Sequence, residues 1–551
     1  MKIKFIFSIC FTVIFFISQA QTNVKATLGT LNRTTPKFGF NTNAHIPANF
    51  PPGYSGANWT QQWFIDSTTY LNPEILRYPG GTNANHWDWK TGWYFPGYFP
   101  PGGSSLTIRT DEFKPGVQGC NGEGLYVVNM ETSTAHYEMD GLRHAKSIGL
   151  SPKYIELGNE HNLNGGSQFP LQLMTPQAYS QLGKVYFDSI MATFPSAKIC
   201  AVGGNTPTIP HWVDSLLKYT PSIDAISFHV YINANNTTDL SFNVNRALAE
   251  PFRVGTNPSP SLDYRYNLSG FPSNKEVWVT EFNLLESSSG LPQIISQTWT
   301  HVLFNMAINH FFLGKSNVTM VLNHSLAGDN HFQSISRQDK KITANALSMK
   351  LLYDMSRGSL TCQNMNFSGN PALTYGTTTI PKLIGWKFNF PSMEKGCICN
   401  FSKDTIALSL ASIFSNPMKI DQYSADTALI VNGISSLNKY SSNSSDIITV
   451  YPYSITQINS SINTGIKNFE SSQNEIWIYP NSGNSNITVK TKINLNNSEI
   501  NIYDLSGKKI NQIKKVFGNT FSLSLDNFTK GMYFLKINTG NTVTTAKFIV
   551  D

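Results

Sequence analysis

Short, almost continuously apolar runs alternate with stretches of helical periodicity over roughly the first 355 residues of the chain. Such runs indicate strands that are covered on both faces, as in a parallel sheet. Thr175 and Pro176 suit the N-cap and first turn of one helix. The predicted strands are residues 37–42, 74–79, 124–130, 153–159, 198–204, 224–230, 276–282 and 318–324, and the helix candidates include 134–148, 175–194, 211–219 and 291–313.

Eight alternations of strand and helix predict a (β/α)8 barrel over residues 35–356, an ordinary size for that fold. A doubly wound open sheet is the alternative. No GxGxxG motif follows an early strand, so a dinucleotide site is not indicated.

The pattern changes after residue 356, where alternating apolar and polar positions separated by turn residues replace the helical periodicity. This alternation predicts an all-β sandwich over residues 357–462. A polar linker follows at residues 463–475, and a small C-terminal β domain occupies residues 476–551.

Composition narrows the class of protein. A chain of 551 residues is too long for one ordinary hydrophobic core, so two or three domains are expected. A composition of 40% hydrophobic and 14% charged residues is typical of a globular protein. The net charge of +7 is not clustered, so nucleic acid is not an expected partner.

The first twenty residues read as a signal peptide, with Lys2 and Lys4, an apolar stretch, and a small-x-small cleavage site that ends at Ala20. We therefore expect export. No later segment is long and apolar enough for a membrane span.

The cysteines outside this leader number five, so at least one should remain unpaired within the chain. Cys362 with Cys397 or Cys399 is a candidate disulfide, because export would permit one. No histidine lies nearby at the spacing of zinc ligands, so no metal site is predicted there.

In a (β/α)8 barrel, the side chains at the carboxyl ends of the strands form the active site. A strand that ends in two polar residues, as "YIELGNE" does, is therefore informative. The predicted strand ends carry Arg77 (second strand), Asn159 and Glu160 (fourth), His229 and Tyr231 (sixth) and Glu281 (seventh).

Glu160 and Glu281 would face each other across the barrel mouth, where two carboxylates can cleave a glycosidic bond. A separation of about 5–5.5 Å gives retention of configuration, and about 6.5–9.5 Å gives inversion. Arg77 and Tyr231 suit the task of keeping Glu281 ionised. We expect Glu156, earlier in the same strand, to serve barrel packing or an internal ion pair.

The loop after the second strand is unusually aromatic. A sugar ring has an apolar face that stacks on such side chains, so Trp87 and Trp89 are candidate substrate contacts. The alternative is a loop that packs on itself around a small core of its own. The cluster consists of Trp87, Trp89, Trp93, Tyr94 and Tyr98.

The motifs "LRYPGG", "LGNE", "ISFHVY" and "VWVTEFN" occur in this order on the barrel pattern. With the sandwich that ends in "YPYSITQINSS", they resemble glycoside hydrolase clan A, most of all its arabinofuranosidase-like and heparanase-like (glucuronidase) families. The resemblance implies a retaining mechanism with Glu160 as general acid/base and Glu281 as nucleophile. It also implies that Asn159 contacts the sugar 2-hydroxyl and that His229 lies in the same site.

The C-terminal domain carries "IWIYPN", "INIYDLSGKKI" and "KGMYFLKI" in order. It is similar to the type A sorting domain of the type IX secretion system of Bacteroidetes. That resemblance implies the secretion machinery as a partner and a location on the cell surface or outside the cell. A sugar-binding β module is the alternative.

Together these features predict a secreted retaining glycoside hydrolase that acts on a carbohydrate without a cofactor. Nothing in the residue spacing demands a structural calcium. One alternative is a catalytically silent carbohydrate-binding or adhesin-like protein on the same barrel. Another is a polysaccharide lyase, which would need a Tyr, His or Lys base opposite an acidic sugar.

Overall fold

The chain divides into two compact units, Met1–Ile462 and Asn463–Asp551. The predicted signal peptide and the predicted linker lie outside the described residues. The computed structural model describes residues 22–49, 52–97, 106–162, 175–204, 212–233, 237–254, 262, 272, 274–285, 295–328, 332–370, 372–376, 378–410, 412–461, 476–479, 482–483, 485–492, 494–495, 498–538 and 543–550.

A closed barrel of eight parallel strands forms the centre of the first unit. Its neighbours run in the order β10-β11-β12-β13-β2-β5-β8-β9, which confirms all eight predicted strands and excludes the open sheet. The strands of this part of the chain are β1 (Thr22–Thr34), β2 (Lys37–Asn41), β3 (His45–Ile46), β4 (Ala57–Asn58), β5 (Ile75–Tyr78), β6 (Trp87–Asp88), β7 (Trp93–Tyr94), β8 (Glu123–Val128), β9 (Tyr154–Leu157), β10 (Lys198–Val202), β11 (Ala225–Asn233), β12 (Glu276–Leu285) and β13 (Val318–His324).

Helices alternate with the barrel strands and cover their outer face. The Oγ1 atom of Thr175 accepts a hydrogen bond from the Ala178 amide at 3.2 Å, which confirms the predicted N-cap. The helices of the described residues are α1 (Gln62–Leu71), α2 (Thr110–Gly119), α3 (Ala135–Ser147), α4 (Pro176–Thr193), α5 (Trp212–Tyr219), α6 (Leu240–Ala249), α7 (Trp299–Leu313) and α8 (Ala344–Ser356).

A layer of buried apolar side chains fills the barrel interior below its mouth. Side chains two residues apart on a strand point to the same face, so the next inward position of each strand lies one layer higher. That next position is Arg77 above Ile75, Glu156 above Tyr154, and Thr280 above Trp278. The apolar layer consists of Ile75, Leu125, Tyr154, Cys200, Ala225, Trp278, Met320 and Leu322.

The predicted β-sandwich follows the barrel as one nine-stranded sheet of order β21-β20-β23-β18-β17-β14-β1-β19-β22, which folds over a core shared by its two halves. Strand β1, before the barrel, joins this sheet beside β14 and was not predicted. The other strands of the sheet are β14 (Thr361–Ser368), β17 (Leu383–Asn389), β18 (Met393–Asn400), β19 (Ile406–Ser409), β20 (Met418–Ser424), β21 (Asn438–Ser444), β22 (Ile447–Val450) and β23 (Ser454–Ser461). Strands β15 (Ala372–Tyr375) and β16 (Thr378–Pro381) form a separate two-stranded sheet.

The candidate disulfide between Cys362 and Cys397 or Cys399 is wrong. All three thiols are buried and free. Strand β17 lies between β14, which carries Cys362, and β18, which carries the other two. Two strand spacings amount to about 9.5 Å, which is too far for the Cα atoms of a disulfide.

The second unit contains a three-stranded sheet, β24-β26-β29, and a five-stranded sheet, β25-β31-β30-β27-β28. The two sheets enclose an apolar core that includes Ile487, Ile502 and Phe548. The strands are β24 (Ile476–Tyr479), β25 (Ser482–Gly483), β26 (Asn486–Thr491), β27 (Ser498–Asp504), β28 (Lys509–Val516), β29 (Thr520–Ser524), β30 (Gly531–Asn538) and β31 (Val543–Val550).

Candidate active site

The six side chains predicted at the strand ends meet at the carboxyl end of the barrel. Glu281 reaches this site because of an irregularity in β12. The pairing register shifts by one residue between Phe228 and His229 of the neighbouring strand, so His229 lies opposite Glu281 rather than Thr280. A bulge of this kind places two successive side chains on one face. Thr280 and Glu281 therefore both point into the barrel.

The Glu281 carboxylate is buried and accepts hydrogen bonds at both oxygens. Its Oε1 accepts from Arg77 Nη1 and from Asn41 Nδ2, each at 2.8 Å. Its Oε2 accepts from the Tyr231 hydroxyl at 2.5 Å. Burial alone would raise the pKa of Glu281, but the neighbouring His229, Arg77 and Tyr231 outweigh burial and hold the pKa well below its ordinary value.

Glu160 lies at the edge of the same site and is more exposed, with 27% of its side chain accessible against 5% for Glu281. The chain turns sharply after β9, where Gly158 and Glu160 have φ angles of +76° and +53°. One oxygen of Glu160 lies 2.7 Å from His229 Nδ1. The nearest oxygens of Glu160 and Glu281 and a His229 nitrogen all lie within 4.8 Å of one another.

Arg77 organises the floor of the site with all three guanidinium nitrogens. Its Nε donates to Glu156 Oε2 at 2.6 Å, and its Nη2 donates to Asn159 Oδ1 at 2.9 Å. The predicted internal ion pair of Glu156 is thereby confirmed. Because Asn159 accepts through its oxygen, its Nδ2 points away from Arg77, and this buried donor has no partner among the described residues.

Two residues beside the Glu281 carboxylate were missed in the sequence, Asn41 at the end of β2 and His324 at the end of β13. Asn41 Nδ2 also lies 2.8 Å from His324 Nδ1, and that nitrogen is 3.4 Å from Glu281 Oε2. Burial lowers the pKa of His324 despite the nearby carboxylate. The rule that found the other side chains, inspection of every strand end, would have found these two.

The structure does not bring Trp87 and Trp89 to the two glutamates. Trp87 is only 3% exposed, and its indole N–H donates to the Tyr78 hydroxyl at 3.1 Å. The Trp89 indole donates to the Tyr137 carbonyl at 2.9 Å and packs against α3. Trp87, Trp93 and Tyr94 thus pack on one another, as the alternative predicted, while Trp89 packs on α3 and Tyr98 lies outside the described residues.

Glu160, His229 and Glu281 also lie close enough together to be considered as ligands of a metal ion. However, both oxygens of Glu281 already accept hydrogen bonds, and the Arg77 guanidinium lies 2.8 Å away. A fixed positive charge at that distance opposes a second cation. The site therefore fits a pair of carboxylates that act directly on a substrate better than it fits a metal centre.

Comparison with known families identifies the C-terminal unit. Residues 477–551 match the family model of the secretion system C-terminal sorting domain. The second unit is a sorting domain. This confirms the prediction from the sequence, and with it export by type IX secretion to the cell surface or the extracellular space. Within the described residues, no helix combines the length and the apolar character that crossing a bilayer requires.

The barrel and sandwich resemble solved glycoside hydrolases. An arabinofuranosidase is 14% identical with a TM-score of 0.60, over 79% of this chain and 99% of that one. The α-L-arabinofuranosidase of Thermotoga maritima in its arabinose complex is 14% identical with a TM-score of 0.61, over 80% and 100%. A 4-O-α-L-rhamnosyl-β-D-glucuronidase of Fusarium oxysporum is 13% identical with a TM-score of 0.52, over 79% and 99%.

At these identities the likeness establishes the predicted fold, a (β/α)8 barrel with a β-sandwich. Comparison with curated protein sequences finds no match.

Proposed function

We propose that the protein is a secreted retaining glycoside hydrolase that acts on a polysaccharide or its oligosaccharides by double displacement. The separation of the two carboxylates carries this proposal. Oxygens of Glu160 and Glu281 lie within 4.8 Å of each other. An approach this close between single oxygens fits the separation of about 5–5.5 Å between the carboxyl groups of retaining enzymes better than the about 6.5–9.5 Å of inverting ones.

Glu281 has the surroundings of a nucleophile, because its depressed pKa keeps the carboxylate ionised. Oε1 already accepts two hydrogen bonds, whereas Oε2 accepts one from Tyr231. A carboxylate oxygen has two lone pairs, so Oε2 retains one for attack on the anomeric carbon. The attack forms an ester with the sugar as the bond to the leaving oxygen breaks.

Glu160 serves this reaction as acid and then as base. In the first step it gives a proton to the leaving oxygen. In the second step it takes a proton from a water molecule, whose oxygen displaces Glu281 from the anomeric carbon. Its partial exposure at the edge of the site suits an exchange of the leaving group for water. The Nδ2 of Asn159 has no partner among the described residues, and we assign to it a sugar hydroxyl beside the bond.

The alternatives are less well supported. A lyase needs a base, but the Tyr231 hydroxyl donates to Glu281, and burial and that carboxylate raise its pKa well above the ordinary value. A silent binding protein would have no need for a buried carboxylate held at both oxygens. We also propose the domain boundaries inferred from the sequence, with the catalytic barrel at 35–356 and the sandwich at 357–462.

Product analysis tests the proposal. A panel of aryl glycosides and of plant and algal polysaccharides would be incubated with the protein. Aryl α-L-arabinofuranosides and β-D-glucuronides come first, because proteins of the same fold are named for these sugars. Proton NMR should show that the first sugar released has the same anomeric configuration as the substrate. Release of the opposite anomer, of unsaturated products, or of no product from any substrate would overturn the proposal.

A further inference from the structure

A chain of hydrogen bonds through Glu156, Thr280 and His229 connects Arg77 to Glu160. Glu156 accepts from Arg77 Nε at Oε2, and its Oε1 lies 3.1 Å from the Thr280 hydroxyl. Thr280 Oγ1 is also 3.1 Å from His229 Nε2. On the other side of the ring, His229 Nδ1 lies 2.7 Å from Glu160 Oε1. Arg77, Glu156 and Thr280 have no exposed surface, so bulk solvent does not reach them.

The direction of each hydrogen bond in this chain follows from the number of hydrogens available. As the carboxylate partner of the Arg77 guanidinium, Glu156 only accepts. The single hydrogen of the Thr280 hydroxyl therefore points to Glu156. The Thr280 oxygen is then an acceptor toward the ring, so His229 Nε2 must carry a hydrogen.

This assignment fixes what lies between His229 and Glu160. If the ring is neutral with its hydrogen on Nε2, Nδ1 holds a lone pair, and Glu160 must carry the proton that bridges the 2.7 Å contact. If the ring is charged, Nδ1 donates to an ionised Glu160. In both cases one proton occupies the contact, and the protein holds the proton that a general acid requires.

We propose that Glu156 and Thr280 are positioning residues that hold His229 in its Nε2–H form and thereby retain the acid proton on the pair of His229 and Glu160. The proposal rests on the proposed function, because it concerns the acid of that reaction. Glu156 and Thr280 act through His229 and do not touch the sugar.

The pair of His229 and Glu160 holds its proton because the state without that proton is unfavourable. With Nε2–H held by Thr280, the Nδ1 lone pair faces the Glu160 carboxylate, which is repulsive. A ring with its hydrogen on Nδ1 would donate to that carboxylate and relieve the repulsion. The Thr280 oxygen excludes this form, because an Nε2 lone pair would then face an oxygen that has no hydrogen to give.

The Glu281 carboxylate acts in the same direction on the ring, and the Arg77 guanidinium opposes it. Burial lowers the pKa of His229, but Glu281 and Glu160 outweigh burial and raise it above the ordinary value. The titratable and charged groups that face the ring are Glu160, Glu281, Arg77 and His324.

Replacement of the threonine hydroxyl tests the proposal. Thr280→Val keeps the shape of the side chain and removes the oxygen, so the Nδ1–H form becomes accessible and the pair loses its proton more readily. The basic limb of the kcat/KM pH profile should move to lower pH by about one unit, the scale of one hydrogen bond. Thr280→Ser keeps the hydroxyl and should keep the wild-type limb.

Nitrogen-15 NMR of the histidine rings provides a second measurement that needs no turnover. Above the basic limb, wild-type His229 should be neutral with its hydrogen on Nε2, and the hydrogen should move to Nδ1 in Thr280→Val. A wild-type ring with its hydrogen on Nδ1 would overturn the proposal, and this titration does not require the variant to fold. A Thr280→Val profile identical to wild type would overturn it equally.

The two proposals fail in different ways. Absence of hydrolysis by the wild-type protein on the whole panel would defeat the proposed function. The NMR titration would then still support or overturn the proton arrangement. Hydrolysis with retention, combined with an Nδ1–H ring, would keep the proposed function and reject the role of Glu156 and Thr280.

Discussion

The two glutamates of the barrel mouth have opposite surroundings, although their oxygens lie within 4.8 Å of each other. Glu281 is buried and held at both oxygens by Asn41, Arg77 and Tyr231. Glu160 is partly exposed and has its close contact at one oxygen, with His229. A nucleophile has to stay ionised and in place, while an acid/base has to exchange a proton with different partners. The difference in surroundings therefore supports the two roles that we propose, before any substrate binds.

The largest effect is expected at the more tightly held carboxylate. Glu281→Gln replaces the proposed nucleophilic carboxylate by a neutral amide that does not attack, so kcat/KM should fall by about 10⁴-fold or more on every glycoside, activated aryl glycosides included. Release of the aryl group measures this loss. Glu276→Gln, at the opposite end of the same strand β12, is the matched control and should keep wild-type activity. Near-wild-type turnover by Glu281→Gln would remove this residue from its role.

A smaller and selective effect is expected at the exposed carboxylate. Glu160→Gln removes the proposed acid, so natural glycosides should lose about 10²–10⁴-fold in rate. Aryl glycosides with good leaving groups need little protonation, so their first step should persist and the glycosyl-enzyme should accumulate. Mass spectrometry of the intact protein detects that ester, and added azide should release it as a glycosyl azide. Equal losses on both kinds of substrate would contradict the assignment.

Arg77→Met tests how much the stability of the fold depends on the buried ion pairs of Arg77 with Glu156 and Glu281. The change leaves Glu156 and Glu281 as buried carboxylates without their cation, which should cost about 3–5 kcal/mol in the free energy of unfolding. Urea denaturation of the full-length protein measures it. Arg143→Met is the matched control, because its ion pair with Asp140 is exposed and contributes about 0–1 kcal/mol at most. Similar losses in both variants would show that Arg77 is not the hub of a buried network.

The pH dependence sharpens the same contrast. The pKa of Glu281 is depressed in the folded protein, so the acid limb of kcat/KM should lie well below the ordinary glutamate value. Ionised Glu281 also stabilises the fold above that ordinary value, a contribution lost as pH falls through the depressed pKa.

Asn41→Ala removes one hydrogen bond to Oε1 and should move the acid limb up by about one pH unit or less. The basic limb, which we assign to Glu160 and His229, should stay in place. An acid limb at the wild-type position would show that Asn41 does not help to keep Glu281 ionised.

The sequence was sufficient for the part of the site that follows from strand periodicity. Arg77 and Glu156 lie two residues above apolar side chains of the same strands, a spacing that the strand period dictates. The bulge that turns both Thr280 and Glu281 inward has no local signal, because it depends on pairing with β11 and β13. Strand β1 was missed for a similar reason, since its partners in the sandwich are distant in the chain.

The aromatic loop shows where composition alone fails. Exposed aromatic side chains that stack on a sugar and buried ones that pack on each other have the same sequence signature, and only tertiary packing distinguishes them. Trp87 is buried against other aromatic rings and half-buried Trp89 packs against α3, so neither side chain is found beside the glutamates.

The smallest effect is therefore expected in that loop, away from both carboxylates. Trp89→Phe keeps an aromatic ring against α3 but removes the indole donor to the Tyr137 carbonyl. The free energy of unfolding should fall by about 1 kcal/mol, and KM should not change, because the side chain acts on the fold and not on the sugar. Parallel measurement of urea midpoints and of KM on the best substrate of the panel separates the two. A rise in KM at unchanged stability would return Trp89 to the substrate-binding surface and extend the site beyond the strand ends.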